Sequence, residues 1–124
     1  MKLSQFTDYS LRLLIYLSEA KGRLVTISEI ATHYDISAPH LKKVVTSLSS
    51  HKYIRTVRGK HGGIALNKEP EEINLGELIR HQENLKLIDC TACAVPSCKL
   101  PMAINEGLRA FLTVFDRKTL RDIL

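Results

Sequence analysis

Apolar side chains recur with helical spacing in the first third of the chain. A dense apolar run over residues 4–20 predicts a first helix that is buried around much of its circumference. Thr26 and Glu29 then match a capping box, in which each side chain bonds to the backbone N–H of the other residue. We therefore predict a second helix over residues 27–34.

A third helix is predicted to have one apolar and one polar face. Ser37 can cap it, Pro39 is tolerated in its first turn, and the pattern ends near Ser49. Its apolar positions share one face: Leu41, Val44, Val45 and Leu48. We predict that DNA is contacted by Ser37, His40, Lys42, Lys43, Thr46 and Ser47. A short helix, a three-residue turn and a second helix with a basic outer face form a helix-turn-helix.

Two short β-prone runs follow, over residues 53–57 and 64–66, with a glycine-rich basic segment between them. This pattern predicts a two-stranded wing, from which Arg58 and Lys60 would contact the phosphate backbone or enter a minor groove. A plain hairpin with solvated charges is the alternative. A nucleotide-phosphate loop is excluded because a strand, and not a helix N-terminus, follows the glycines.

The second half contains two more amphipathic segments. Asn74 is predicted to cap a short helix over residues 75–81, and Thr119 a last turn. Between them, a helix over residues 101–116 has a wide apolar stripe and little core left to bury it against. A second subunit is the expected partner, giving a homodimer suited to a palindromic operator; packing back onto the same chain is the alternative.

These patterns predict a mainly α-helical fold with a small two-stranded β wing. Residues 1–68 form a winged helix-turn-helix DNA-binding domain, and residues 69–100 contain a short helix and the loop that holds the cysteines. Residues 101–124 form a dimerisation helix and a terminal turn.

Charge is distributed unevenly between the two halves. Residues 1–68 hold 11 Lys and Arg against 4 Asp and Glu, whereas residues 69–124 hold 7 against 9, so net charges of +7 and −2 add up to +5 for the chain. The basic half would attract a polyanion such as double-stranded DNA. A solvated basic face is the alternative.

Composition adds an expectation about the compartment. No apolar run approaches the roughly 18 residues of a membrane span, and the first residues lack the apolar core of a signal peptide. We therefore expect a cytoplasmic protein with no membrane association. Thiols stay reduced in that compartment, so clustered cysteines indicate metal binding or redox chemistry.

All three cysteines of the chain, Cys90, Cys93 and Cys98, lie within nine residues. Their spacing alone leaves an iron-sulfur cluster, structural zinc and a thiol redox switch open, and His81 would suit zinc. A fourth ligand must come from Asp8, Asp89, a histidine, solvent or a partner subunit. No nucleophile, base and orienting group form a recognisable triad, so we do not expect an enzyme.

The chain resembles a known family nearly end to end. The matching stretches are residues 6–17, 27–31 and 40–48, the wing Val57-Arg-Gly-Lys-His-Gly-Gly63, and Cys98-Lys-Leu, Phe111-Leu112 and Thr119-Leu-Arg-Asp122 in the tail. These stretches are similar to the winged-helix iron-sulfur transcriptional repressors of the NsrR, IscR and RirA type, and most similar to the nitric-oxide-sensing branch.

The resemblance implies a homodimeric repressor whose cysteine loop binds an iron-sulfur cluster, with [4Fe-4S] favoured over [2Fe-2S] and nitric oxide as the signal. It also implies that Asp8 of the partner subunit completes the cluster. The alternative is that Asp8 is a first-turn carboxylate, which the helix macrodipole stabilises. The cysteine spacing is tighter than is usual in the family. Iron or cluster-status sensing, and a zinc-stapled protein-interaction module, are therefore alternative functions.

Overall fold

The structure is a computed structural model that describes residues 1–91 and 94–124. In those residues the helices and strands are α1 (Gln5–Glu19), α2 (Ile27–Tyr34), α3 (Ala38–Ser50), β1 (Ile54–Val57), β2 (Gly63–Leu66), α4 (Leu75–Gln82) and α5 (Leu100–Asp116). Short 3-10 helices cover Pro70–Glu72 and Leu120–Ile123. The predicted fold, mainly helical with a two-stranded antiparallel wing, is confirmed.

Polar side chains at the helix N-termini explain where the helices begin. The hydroxyls of Thr26 and Ser37 and the side-chain oxygen of Asn74 each accept a hydrogen bond from the backbone N–H three residues later, at 3.1, 3.3 and 2.8 Å. The predicted caps at Thr26, Ser37 and Asn74 are confirmed. The predicted capping box is only half formed, because the Glu29 carboxylate accepts from Arg23 and Tyr16 instead of Thr26.

A single apolar core joins α1, α3 and the wing. Leu13 and Leu14 of α1 and Leu41 and Leu48 of α3 have no exposed surface. A pair of hydrogen bonds between the backbones of Val25 and Ile64, at 2.9 and 2.7 Å, attaches the hairpin to the segment before α2. The wing is therefore fixed to the same core that holds α3, the second helix of the helix-turn-helix and its predicted recognition helix.

Backbone pairing attaches the C-terminal segment to α4. The N–H of Leu75 donates to the Lys118 carbonyl at 3.0 Å, and the N–H of Leu120 donates to the Ile73 carbonyl at 2.9 Å. Arg80 and Asp116 form an ion pair between α4 and α5. These contacts hold the last turns of α5 against α4.

The apolar stripe on α5 is only partly covered. Leu112 is buried, whereas the other residues of the stripe are half-buried: Ile104, Leu108, Phe111 and Phe115. Outside the stripe, Met102 is 73% exposed and Val114 is 50% exposed. Within residues 1–91 and 94–124, neither α5 nor any other helix has the length and apolar character needed to cross a membrane.

We predict that Gly76→Ala destabilises the junction between α4 and α5. A Cβ at this position would lie 2.9 Å from the backbone nitrogen of Asp116 and closer still to its carboxylate, so α5 would have to shift. Overpacking of this kind costs about 1–3 kcal/mol of unfolding free energy. Chemical denaturation of the purified protein measures the change.

Arg80→Ala is the matched control, because it removes the ion pair with Asp116 without adding an atom at position 76. The pair is partly exposed, so its loss should cost less than about 1 kcal/mol. Equal losses for Gly76→Ala and Arg80→Ala would show that the ion pair, and not the close packing, explains the effect.

Candidate functional site

The outer face of α3 presents a cationic surface to solvent. Ser37, His40, Lys42, Lys43 and Thr46 are all exposed. The Thr46 hydroxyl donates back to the Lys42 carbonyl at 2.9 Å, which directs it toward the helix itself. Lys42 and Lys43 form no salt bridge within the described residues. Their charges are therefore available to a polyanion.

Ser47, the remaining predicted contact on this helix, has a different environment. It is half-buried, and its hydroxyl donates to Oε1 of Gln82 on α4 at 2.7 Å. In this structure Ser47 thus connects the recognition helix to α4, and a role of Ser47 in DNA contact stays a prediction.

The wing places two further cations on the basic side of the molecule. Arg58 and Lys60 are exposed in the turn between β1 and β2, where Gly59 has a φ of 109°. A side chain at Gly62 would lie 2.0 Å from the carbonyl oxygen of Val57, so this tight turn requires glycine. No acidic residue occurs between Asp35 and Glu69, so neither α3 nor the wing has an acidic side chain beside its cations.

An ion-pair network connects α1 to α2, the first helix of the helix-turn-helix. The Glu29 carboxylate accepts hydrogen bonds from Arg23 at 2.8 and 3.1 Å and from the Tyr16 hydroxyl at 2.5 Å. The bonds from Arg23 first, and from Tyr16 second, lower the pKa of Glu29 from 4.5 to about 2.

This shift predicts how stability depends on pH. Because the pKa of Glu29 is lower in the folded chain, its contribution to stability is fully present above pH 4.5 and is lost as the pH falls toward about 2. The gap in thermal unfolding midpoint between wild type and Glu29→Gln should shrink over that window. Glu19→Gln, a substitution at an exposed carboxylate, is the control variant. A difference in unfolding midpoint between wild type and Glu29→Gln that does not change with pH would contradict the stabilising role of the Glu29 carboxylate.

The cysteine loop joins α4 to α5. Cys90 is exposed and Cys98 is half-buried, and both are free thiols. Cys93 lies outside the described residues. Soft thiolates suit iron-sulfur clusters and zinc, and this donor set fits either group. Within residues 1–91 and 94–124, no group of three or more His, Cys, Asp or Glu side chains converges on one point.

The candidate fourth ligands already have protein partners. Asp8, in the first turns of α1, accepts from Arg12 at 3.0 Å, and both side chains are about half exposed. Asp89 accepts from the backbone and hydroxyl of Thr91 at 3.0 and 2.8 Å. Asp8 of the partner subunit as a cluster ligand stays a prediction.

His81, the candidate zinc ligand, belongs to an aromatic cluster at the end of α3. Its Nδ1 lies 2.9 Å from the hydroxyl of Tyr53, and its ring stacks on His51 with centroids 4.1 Å apart. Burial raises the pKa of Tyr53 to about 12, so this hydroxyl stays protonated. His33, His40, His51 and His61 are exposed.

Two residues at the base of the cysteine loop make contacts that no sequence pattern indicated. Gln82 is buried and bonds to both α1 and α3. The Glu83 carboxylate accepts from the Ser4 backbone, the Ser4 hydroxyl and the Thr7 hydroxyl at 2.9, 3.1 and 2.6 Å. Burial alone would raise the pKa of Glu83, but the bonds from Thr7 and Ser4 outweigh it and lower this pKa.

The chain is similar in sequence to known transcriptional regulators. The model of the Rrf2 family, described as iron-dependent transcriptional regulators, matches residues 3–124. The HTH-type transcriptional regulator NsrR of Bacillus licheniformis is 46% identical, over 100% of this chain and 92% of the relative.

Two solved structures share the fold. One, described as CymR, the global cysteine regulator of B. subtilis, matches with a TM-score of 0.78 and 27% identity, over 99% of this chain and 95% of the other. The other is IscR of T. potens, with a TM-score of 0.79 and 25% identity, over 99% and 85% of the two chains.

Proposed function

Since the chain belongs to the Rrf2 family of iron-dependent transcriptional regulators, we propose that it is a repressor whose iron-sulfur cluster senses nitric oxide and controls promoter binding. The observation that carries the proposal is the pair of free thiols, Cys90 and Cys98, in a loop that follows a basic winged helix. The similarity to relatives named NsrR supports nitric oxide as the signal.

DNA binding follows from the exposed basic surface. A recognition helix of 13 residues can enter a major groove, where Lys42 and Lys43 would neutralise phosphates and His40 would reach base edges or backbone. Arg58 and Lys60 at the tip of the wing would contact the adjacent backbone or minor groove. Because the wing and α3 share one core, both surfaces would approach the duplex as one rigid unit.

The cysteine loop would hold the cluster through Cys90, Cys93 and Cys98, with Asp8 of the partner subunit as the fourth ligand. When bound, a [4Fe-4S] cluster with one weak oxygen ligand supplies an iron that nitric oxide can attack. Arg12 holds the Asp8 carboxylate in an exposed position on α1, where a second chain can reach it. Cluster and dimer would then form one unit.

The partly exposed stripe of α5 supports the homodimer. Covering half-buried apolar side chains such as Ile104, Leu108 and Phe111 with a second surface would stabilise the pair by roughly 25 cal/mol per Å² of apolar area buried. Two-fold pairing through α5 would place two recognition helices on successive major grooves of a palindromic operator.

Metal and sulfide analysis of anaerobically purified protein tests the proposal. We expect brown protein with bound iron and acid-labile sulfide and a broad visible absorption that nitric oxide abolishes. Colourless protein with stoichiometric zinc would contradict it and would favour a zinc-stapled protein-interaction module.

Iron or cluster-status sensing is a second candidate function, favoured by the family description as iron-dependent and by the tight cysteine spacing. In that case an iron chelator, and not a low dose of nitric oxide, would change DNA binding. The two treatments applied to the same preparation separate the two functions.

A further inference from the structure

A chain of hydrogen bonds connects three helices at the base of the cysteine loop. Ser47 of α3 donates to Gln82 Oε1 at 2.7 Å, and Gln82 Nε2 donates to the Ser10 hydroxyl of α1, also at 2.7 Å. Ser10 in turn donates to the Phe6 carbonyl at 2.7 Å. Every donor in this chain points in one direction, from the recognition helix through α4 to α1.

The central residues of this chain of bonds, Gln82 and Ser10, lie in the interior of the protein. Ser10 has no exposed surface and Gln82 is 7% exposed. Buried polar groups are costly unless they are paired, and within the described residues no buried side-chain nitrogen or oxygen lacks a partner. The relative positions of α1, α3 and α4 are therefore specified by directional bonds in addition to apolar packing.

Glu83 extends this arrangement to the N-terminus of α1. Its carboxylate bonds to Ser4 and Thr7, and Thr7 has no exposed surface. The residues that follow Glu83 lead directly into the cysteine loop, and Cys90 is seven positions further on. On the α4 side of the loop, Glu83 and Gln82 are therefore the first residues with tertiary hydrogen bonds that a displacement would reach.

We propose that Gln82 is a positioning residue that transmits the state of the cysteine loop to the recognition helix. Its amide sets the position of α3 against α1 through Ser47 and Ser10, and a shift of α4 at its last residue moves both contacts together. This inference rests on the proposed function, since it assumes that cluster loading changes DNA affinity.

Glutamine suits this role for a specific chemical reason. Its side chain accepts from Ser47 and donates to Ser10, so it satisfies both partners without a buried charge. Methionine has a similar length and volume but neither polar group, so Gln82→Met should keep the packing and remove the coupling. In that variant Ser10 keeps its bond to the Phe6 carbonyl, and Ser47 is half-buried and accessible to water.

The experiment measures one ratio in three proteins. The probe is a duplex that cluster-loaded wild type selects from a random-sequence library, and the ratio compares its dissociation constants for cluster-free and cluster-loaded protein. We expect the ratio to differ from one in wild type and to move toward one by about tenfold in Gln82→Met. Gln5→Met, the same substitution at an exposed position of α1, should keep the wild-type ratio.

The ratio separates positioning from a general structural role, because simple destabilisation would weaken both forms alike. If Gln82→Met loads its cluster and keeps the wild-type ratio, the inference is wrong and the proposed function stands. An equal change in Gln5→Met would also overturn it. A wild-type ratio of one would instead overturn the proposed function, and this inference with it.

A second pair of variants keeps the test decisive if Gln82→Met does not fold. Ser47→Ala removes the donor on α3, and Ser49→Ala makes the same change two residues later on that helix. The ratio should move toward one in Ser47→Ala only. The same ratio in both variants would contradict the proposal.

Discussion

The Cys98→Ala variant is expected to lose most of its bound iron and the response of its DNA binding to nitric oxide, while its helical content stays unchanged. Cys98 is one of only three thiols in the chain and lies two residues before α5, so its removal leaves two thiolates for the proposed cluster. Iron per chain, visible absorption and far-ultraviolet circular dichroism together measure this outcome.

Val95→Ala is the control for Cys98→Ala. Val95 lies in the same loop and is 60% exposed, so its truncation changes the loop without removing a ligand. Its iron content should equal that of wild type. Full iron loading of Cys98→Ala would show that Cys98 is not a ligand and would remove the basis for the proposed three-cysteine site.

Substitutions on the recognition helix and the wing are expected to weaken DNA binding in two distinguishable ways. Lys43→Ala removes a phosphate contact, so affinity should fall for every duplex and the salt slope should decrease by about 1. Arg58→Ala should cost about 1–3 kcal/mol on the selected duplex and less on unrelated DNA, because an arginine in a groove reads sequence or shape. Binding titrations at several salt concentrations separate the two effects.

Lys118→Ala provides the matched control for the charge change. Lys118 is exposed in the C-terminal segment, away from α3 and the wing along the chain. Its replacement also removes one positive charge, so it corrects for net charge alone. If Lys43→Ala and Arg58→Ala behave like Lys118→Ala, the α3 and wing surface is not the DNA interface.

Local signals explain why most of the fold could be predicted. The caps at Thr26, Ser37 and Asn74 and the proline in α3 act within one helical turn, so a short stretch of sequence contains the whole interaction. The hydrophobic periodicity of α3 likewise identifies its buried face, where Leu41, Val44, Val45 and Leu48 all have less than one tenth of their surface exposed.

Contacts between distant segments could not be predicted in this way. The bond from Ser47 to Gln82 spans 35 positions, and the bond from Gln82 to Ser10 spans 72. Ser47 lies on the polar face of α3 by periodicity, yet the packing of α4 half buries it. Likewise, the spacing of Thr26 and Glu29 matches a capping box. The Glu29 carboxylate nevertheless bonds to Arg23 and Tyr16 and not to the backbone N–H of Thr26.

The functional residues also fall into two groups, those that local sequence patterns predict and those that depend on contacts between distant segments. The exposed cations of α3 and the wing follow from periodicity and turn chemistry, and the structure places Lys42, Lys43, Arg58 and Lys60 in solvent. The cluster ligands depend on contacts across the loop and between subunits, which a sequence pattern does not specify. Asp8 and the three cysteines therefore stay predictions that only metal analysis and mutation can test.

Operator binding during an anaerobic nitric oxide titration tests the central claim most directly. The cluster-loaded protein is bound to its selected duplex, and DNA occupancy and cluster absorption are followed together as nitric oxide is added. We predict that occupancy changes in step with the loss of cluster absorption, and that Cys98→Ala shows neither change. Occupancy that stays constant while the cluster is destroyed would contradict the claim that the cysteine loop controls DNA binding.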